Sequence, residues 1–267
     1  MLRKEPDYIR YFIELAYHGK PYHGWQVQPN APTVQEALTK AISTILRDDV
    51  SIVGAGRTDT GVHAAHFVAH FDWYRQALST SELLNKLNRY LPDNIRIDSI
   101  QPVDPDTHSR FSACKRTYHY LICREKSTFF SEYSWFLPYD LDISLMNDAA
   151  SLLLKTNDFT SFARLHADTK TNICKLSEAV WTEKGSLLVF EISADRFLRN
   201  MVRAIVGSLV EVGKKKATLD DFASIIRQMD RSAAGQSAPA PGLFLTRIEY
   251  PDEMFRIHPK ISFPELF

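Results

Sequence analysis

Cysteine is scarce in this chain: Cys114, Cys123 and Cys174 are the only three in 267 residues. An odd count without CxxC spacing argues against a disulfide framework and against a cysteine-built zinc site, and it fits a reducing compartment. No run of about 18 apolar residues occurs, so no membrane-spanning helix is expected. The stretch Met1-Leu2-Arg3-Lys4-Glu5-Pro6-Asp7 is not followed by the apolar segment that an export signal needs. These absences predict a cytoplasmic protein with no membrane partner. An excess of charge of either sign is also missing, since 32 Lys plus Arg balance 32 Asp plus Glu. That balance argues against a uniformly basic coat and leaves room only for a local basic groove.

What is present is the composition of an ordinary folded protein. Hydrophobic residues make up 45% and charged residues 24% of the chain, enough for one large domain or two smaller ones with real cores. Several site types fail on spacing. Gly54-x-Gly56 has no third glycine at position 59 for a dinucleotide fingerprint, and Gly61 is followed by Val62 rather than the lysine of a phosphate-binding loop. His63, His66 and His70 suggest a metal, but in an extended strand His63 falls on the opposite face from the other two, and no metal is expected. There is no G-x-S-x-G nucleophile motif.

Periodicity orders the elements. Residues 8–17 alternate, with Ile9, Tyr11, Ile13, Leu15 and Tyr17 on one face of a strand. Thr33 and Glu36 have capping-box spacing and open a helix whose stripe is Val34, Ala37, Leu38, Ala41, Ile42 and Ile45. A short strand at 51–53, a strand at 67–73, a helix capped at Ser79 and a strand at 95–100 complete a β-α-β-β-α-β series. The stretch 101–107, rich in proline and acid, is expected to break regular structure and mark a boundary. The same order recurs beyond it, with a strand at 118–122, a helix at 141–154, a hairpin about Lys184-Gly185-Ser186, helices at 197–212 and 219–229, and a strand at 243–250. The expectation is an α+β protein of two pseudo-repeated, ferredoxin-like (split βαβ) halves, 1–106 and 107–267, with their sheets side by side around a central cleft.

Chemistry concentrates in Gly54-Ala55-Gly56-Arg57-Thr58-Asp59-Thr60-Gly61-Val62-His63-Ala64, where three of the ten glycines surround one carboxylate. Glycines let a backbone take positive φ and approach a ligand, so Asp59 can be aimed there; a tight polar turn between strands is the plainer reading. Arg57 can hold that carboxylate ionised or bind an anion beside it. A second concentration is Arg196, Arg199 and Arg203, which on a continuous helix fall within an arc of about 60°, with Gly207 on the same face. They suit phosphates or a carboxylate, or else form a solvated face. Arg75, Arg110, Lys115, Arg116, Arg164 and Lys214-Lys215-Lys216, interleaved with Tyr22, Trp25, Phe111 and Tyr118, could hold phosphates and stack bases if grouped.

The segment from Ala55 to Ala64 resembles the AGRTD-A-GVHA motif of the tRNA pseudouridine synthase A family, with Thr60 in place of the usual alanine. Matches continue in order through Tyr17-His18-Gly19, Tyr22-His23-Gly24-Trp25, Thr33-Val34-Gln35, Phe111-Ser112-Ala113, Tyr118-His119-Tyr120, Phe197-Leu198-Arg199-Asn200-Met201-Val202-Arg203 and Ser237-Ala238-Pro239-Ala240-Pro241-Gly242-Leu243. The resemblance implies an isomerase that converts uridine to pseudouridine at positions 38 to 40 of the tRNA anticodon stem-loop, without metal or cofactor, and works as a homodimer. It makes Asp59 the nucleophile, Tyr118 the ring stacked on the target base, Arg57 the residue that helps turn out the nucleotide, and Arg203 the cation that pairs with Asp59. The sequence departs from the family pattern at Lys155-Thr156-Asn157-Asp158-Phe159, which lacks a glycine and a histidine, and at Glu36. A chemically silent RNA-binding module and a nucleoside hydrolase are the competing readings. A carboxylate at the centre of the loop favours an enzyme, since binding a polyanion gains nothing from it.

Overall fold

The structure is a computed structural model that describes residues 8–164, 170–251 and 254; the N-terminal heptapeptide considered above lies outside them. The chain divides into two compact units, one formed by Met1–Cys114 with Thr246–Phe267 and the other by Lys115–Leu245. The division thus falls later than the expected 106/107, and the C-terminal stretch belongs with the first unit.

The first unit has strand β1 (Ile9–Tyr17), helix α1 (Val34–Leu46), strands β2 (Ile52–Gly54) and β3 (His63–Trp73), helix α2 (Thr80–Tyr90) and strand β4 (Ile95–Val103). β1 pairs antiparallel with β3 on one side and β4 on the other, and β2 pairs antiparallel with β3. The central β1 is buried on both faces: Tyr11, Phe12, Ile13, Glu14 and Leu15 are each at most 2% exposed. Alternation therefore identified the strand but undercounted its buried side chains. α1 starts where the Thr33 hydroxyl accepts the Glu36 N–H, buries Val34, Leu38, Ala41 and Ile42, and ends at Arg47 in the left-handed region. α2 is clamped to β4 by Asn88, whose side chain accepts the Ile97 N–H and donates to the Ile97 carbonyl, both at 2.8 Å. β4 runs on through Pro102 to Val103, so the 101–107 stretch does not break the strand at its start. Within this unit's sheet β4 lies at the edge, where a residue without an N–H is tolerated.

The second unit has strands β5 (Lys115–Cys123) and β6 (Trp135–Phe136), helix α3 (Ile143–Leu153), strands β7 (Leu176–Lys184) and β8 (Leu187–Ala194), and helices α4 (Met201–Gly213) and α5 (Leu219–Gln228). Strand β9 (Leu243–Glu249) starts in this unit and ends in the first. β8 pairs antiparallel with both β5 and β7, and the β7–β8 hairpin turns at Gly185 with φ 59°. The two-residue β6, parallel to the end of β5, had no periodic signal of its own. α5 has a complete capping box, Thr218 with Asp221. Among the described residues no helix is long and apolar enough to cross a membrane.

Candidate active site

The loop carrying Asp59 is the turn of the β2–β3 hairpin. Ile52, Val53 and Gly54 lie opposite Phe71, His70 and Ala69, and the Ala55 N–H extends the pairing by donating to the Val68 carbonyl at 2.8 Å. At the far end the Val62 N–H donates to the Asp59 carbonyl at 3.1 Å, and Gly61 has φ 78°. A four-residue turn with positive φ at its third position requires glycine there. Asp59 is thus the first residue of a defined turn, and its side chain is half-buried while Arg57 and Thr60 are exposed. The glycines do not act alike: among the three, only Gly61 has positive φ. Gly54 lies in β2 against the Trp25 indole, and a methyl group at Gly56 would meet no atom within 4 Å.

The segment after β1 supplies the cradle. The buried Thr58 hydroxyl shares a hydrogen bond with the Tyr17 hydroxyl at 2.9 Å. Its carbonyl accepts the Trp25 N–H and rests on Gly24, which has φ 89° and has no room for a side chain against that oxygen. The Gly61 N–H donates to the Tyr22 carbonyl, and the Gly19 N–H to His63 Nδ1 at 3.1 Å. The residues on both sides of Asp59 are therefore locked from outside the loop. The residue-level reading put Tyr17 on a strand face, Trp25 among possible base-stacking rings and Gly24 nowhere; Trp25 is 1% exposed and serves the cradle instead.

The histidines of β3 serve the core. Ile248 donates its N–H to His66 Nδ1, so the proton of the neutral ring sits on Nε2, which meets the buried Glu14 carboxyl at 3.1 Å. Glu14 also accepts the Ser99 hydroxyl at 2.6 Å. A carboxyl does therefore stand beside one histidine, from the neighbouring strand, but it is used up in this network. His70 Nδ1 meets the Ser109 hydroxyl at 2.7 Å, and burial, with Arg10 and His108 nearby, lowers its pKa to about 4. No metal-type cluster of His, Cys, Asp or Glu occurs among the described residues. Of the thiols, Cys114 is exposed, Cys123 and Cys174 are buried, and burial pushes Cys174 up to about 12.

In the second unit Tyr118 lies on β5 opposite Ile192, half-buried, with its ring edge-on to Phe197 at 5.0 Å. Arg203 is on α4, where its Nε donates to the Ala238 carbonyl at 2.7 Å and its own carbonyl accepts the Ala238 N–H. That exchange orients the guanidinium. The 234–239 stretch is further held by Asn200 and Arg231, which both donate to the Ser237 hydroxyl, and by the buried Tyr120 hydroxyl, which donates to the Pro239 carbonyl. Burial pushes the Tyr120 phenol far above its usual range, so it stays a donor. The close neighbour admitted by Gly207 is the Gln236 carbonyl of this stretch, not a ligand.

One expectation for this unit is corrected. The helix begins at Met201, because Asn200 takes φ 67° and the Met201 N–H turns back to the Leu198 carbonyl. Arg196 and Arg199 therefore precede α4, and the three-arginine helical face does not exist. Within the 214–216 lysine run only Lys214 is enclosed: it is 12% exposed, bonded to Glu211 and set over the Tyr139 ring at 4.7 Å, whereas Lys215 pairs with Asp142 at 3.2 Å while 69% exposed, and Lys216 is exposed.

Comparison with known proteins matches this chain, over residues 15–112 and 149–251, to the family described as tRNA pseudouridine synthase. The protein named tRNA pseudouridine synthase A in Bacteroides fragilis is 52% identical over 92% of this chain and 98% of its own. Its namesake in Bacteroides thetaiotaomicron is 52% identical over 95% of each chain. A more distant one in Dictyoglomus thermophilum is 39% identical over 91% of this chain and all of its own. Matches of that identity and coverage leave no competing assignment: the chain belongs to the tRNA pseudouridine synthase family.

Proposed function

We propose that this protein isomerises uridine to pseudouridine at positions 38, 39 and 40 of the tRNA anticodon stem-loop, with Asp59 as nucleophile and without a cofactor. That it is an isomerase acting on tRNA follows from its family; the position, the nucleophile and the route are our reading. Atoms and electrons balance within the uridine. The N1–C1′ bond breaks, a C5–C1′ bond forms, C5 loses a proton and N1 gains one. No oxidant, reductant or group donor is consumed, so side chains suffice.

The ionised Asp59 carboxylate either attacks the electron-poor ribose C1′ as the base departs or assists formation of a glycal there, attack on the uracil ring being the older alternative. The detached base must turn before C5 bonds to the sugar, so Tyr118 serves as the ring on which it stacks. Arg57, exposed beside the unobstructed Gly56, helps turn the nucleotide out of its stack. Arg203, oriented by Ala238, supplies the cation that pairs with the reacting carboxylate. Each unit is read as a split βαβ, ferredoxin-like repeat, the protein as a homodimer, and the cytoplasm as its place of work.

The observation that carries this reading is the anchoring of Thr58 and Gly61 around a half-buried Asp59, which positions one carboxylate as reactive chemistry requires and as simple binding does not. Carbodiimide modification followed by primer extension on a treated tRNA transcript maps the product. Stops one nucleotide 3′ of positions 38 to 40 are expected; stops elsewhere only would refute the assigned position, and a free uracil product would favour the hydrolase.

A further inference from the structure

One exposed aromatic ring in the first unit is built too firmly to be incidental. Phe111 is 76% exposed, yet its backbone is fixed: the Phe111 and Arg110 N–H groups both donate to His108 Nδ1, at 3.3 and 3.0 Å. The turn is closed in both directions, since the Ser112 N–H donates to the His108 carbonyl and the Ser112 hydroxyl accepts the His108 N–H. The His108 ring supports the phenyl ring at 4.4 Å between centroids, and the Arg110 guanidinium carbon lies 5.6 Å from the phenyl centroid. Ser109, within the same turn, is fully buried; its hydroxyl donates to the Val53 carbonyl at 3.0 Å, next to the Gly54 at which the Asp59 loop begins. The turn that presents Phe111 is thus tied to the root of the loop that presents Asp59.

We propose that Phe111 and Arg110 form a stacking platform for an unpaired base of the tRNA, distinct from the reacting uridine, with Phe111 taking the base and Arg110 the adjoining phosphate. Every base has a face that stacks on an aromatic ring, and a guanidinium beside it matches the phosphate that follows each base. A ring already held in place loses little freedom on binding. The polyanionic substrate class of the family supplies the occupant, so this proposal rests on tRNA as the ligand but not on Asp59 as the nucleophile.

The test is equilibrium binding of an unmodified tRNA transcript by the full chain, alongside pseudouridine formation. Phe111→Ala is expected to weaken binding roughly 5- to 100-fold and to raise KM in parallel, with kcat at saturating tRNA near that of the parent. Phe111→Trp keeps the affinity, and its indole emission changes on adding tRNA. Arg110→Ala lowers the log–log salt slope by about 0.7 to 0.9. A Phe111→Ala affinity equal to the parent's overturns the platform, as does dissociation of a dimer with tRNA binding unchanged, which would make a second copy the occupant. A parent protein that binds tRNA but forms no pseudouridine refutes the catalytic reading alone, and the affinity comparison still decides the platform.

Discussion

The Asp59 loop and the Arg203 region use one device in two settings. In the first, the Thr58 carbonyl rests on Gly24; in the second, the Gln236 carbonyl rests on Gly207. Both segments are further held by side chains from outside themselves, Tyr17 on Thr58 and Asn200 and Arg231 on Ser237. The difference lies in what is held. Around Asp59 the carboxylate residue sits on the strap and the glycine is in the support. Around Arg203 the arginine shares a helix with the supporting glycine, and the strap orients it by accepting its Nε–H. Gly24 and Gly207 thus each mark a close backbone neighbour, whereas Gly56 beside Arg57 faces open space.

This comparison can be sharpened by substitution. The largest effect is expected from Arg203→Ala, about 100-fold in kcat for a lost charge-stabilising donor. Arg196→Ala and Arg199→Ala, which lie off the helix, should stay close to the parent in the same assay; equal losses at all three would restore the arginine face. Next comes Gly24→Ala, where a methyl group meets the Thr58 carbonyl in a backbone region unfavourable to alanine. A loss of about 1–3 kcal/mol in unfolding free energy is expected, measured by denaturant titration, and a neutral result would show that the cradle is loose. Tyr17→Phe removes the hydroxyl pair with Thr58 and should cost about 1 kcal/mol. It should lower kcat and leave tRNA affinity unchanged, a split that a purely structural role would not produce.

A further effect is in pH. His70 titrates near 4 when folded and near its ordinary 6.5 when unfolded, because burial disfavours its charged form. Its share of stability is full above pH 6.5 and is lost as the pH falls through about 4, since the unfolded chain takes up the proton first. Melting temperatures across that window should therefore fall less steeply for His70→Gln than for the parent; identical slopes would remove His70 from the account.

The two regions also differ in how legible they were. The β2–β3 loop was readable because its signal is local: a glycine at the third position of a turn, a carboxylate at its first, strands on both sides. Thr33 and the α1 stripe were readable for the same reason. The α4 start was not, because Phe197, Leu198, Met201 and Val202 continue a helical apolar pattern upstream of Asn200, and only its left-handed backbone breaks the helix. Lys214 reads as a solvated charge until Tyr139 and Glu211, distant or inconspicuous in sequence, close over it. The supports of Asp59 were out of reach for that reason too, since Tyr17 and Gly24 act across the fold. The family motifs included all of them, but without giving their physical purpose.

The proposed chemistry centres on one carboxylate, Asp59, which the surrounding residues position and assist. Tritium release from C5-labelled uridine in a tRNA transcript measures this most directly, with Asp59→Asn beside the parent and tRNA affinity recorded for both. Release by the parent, none above background by Asp59→Asn, and comparable tRNA affinity for the two are expected. Release by Asp59→Asn at the parent's rate, or none by a parent that binds tRNA, would contradict the proposed chemistry.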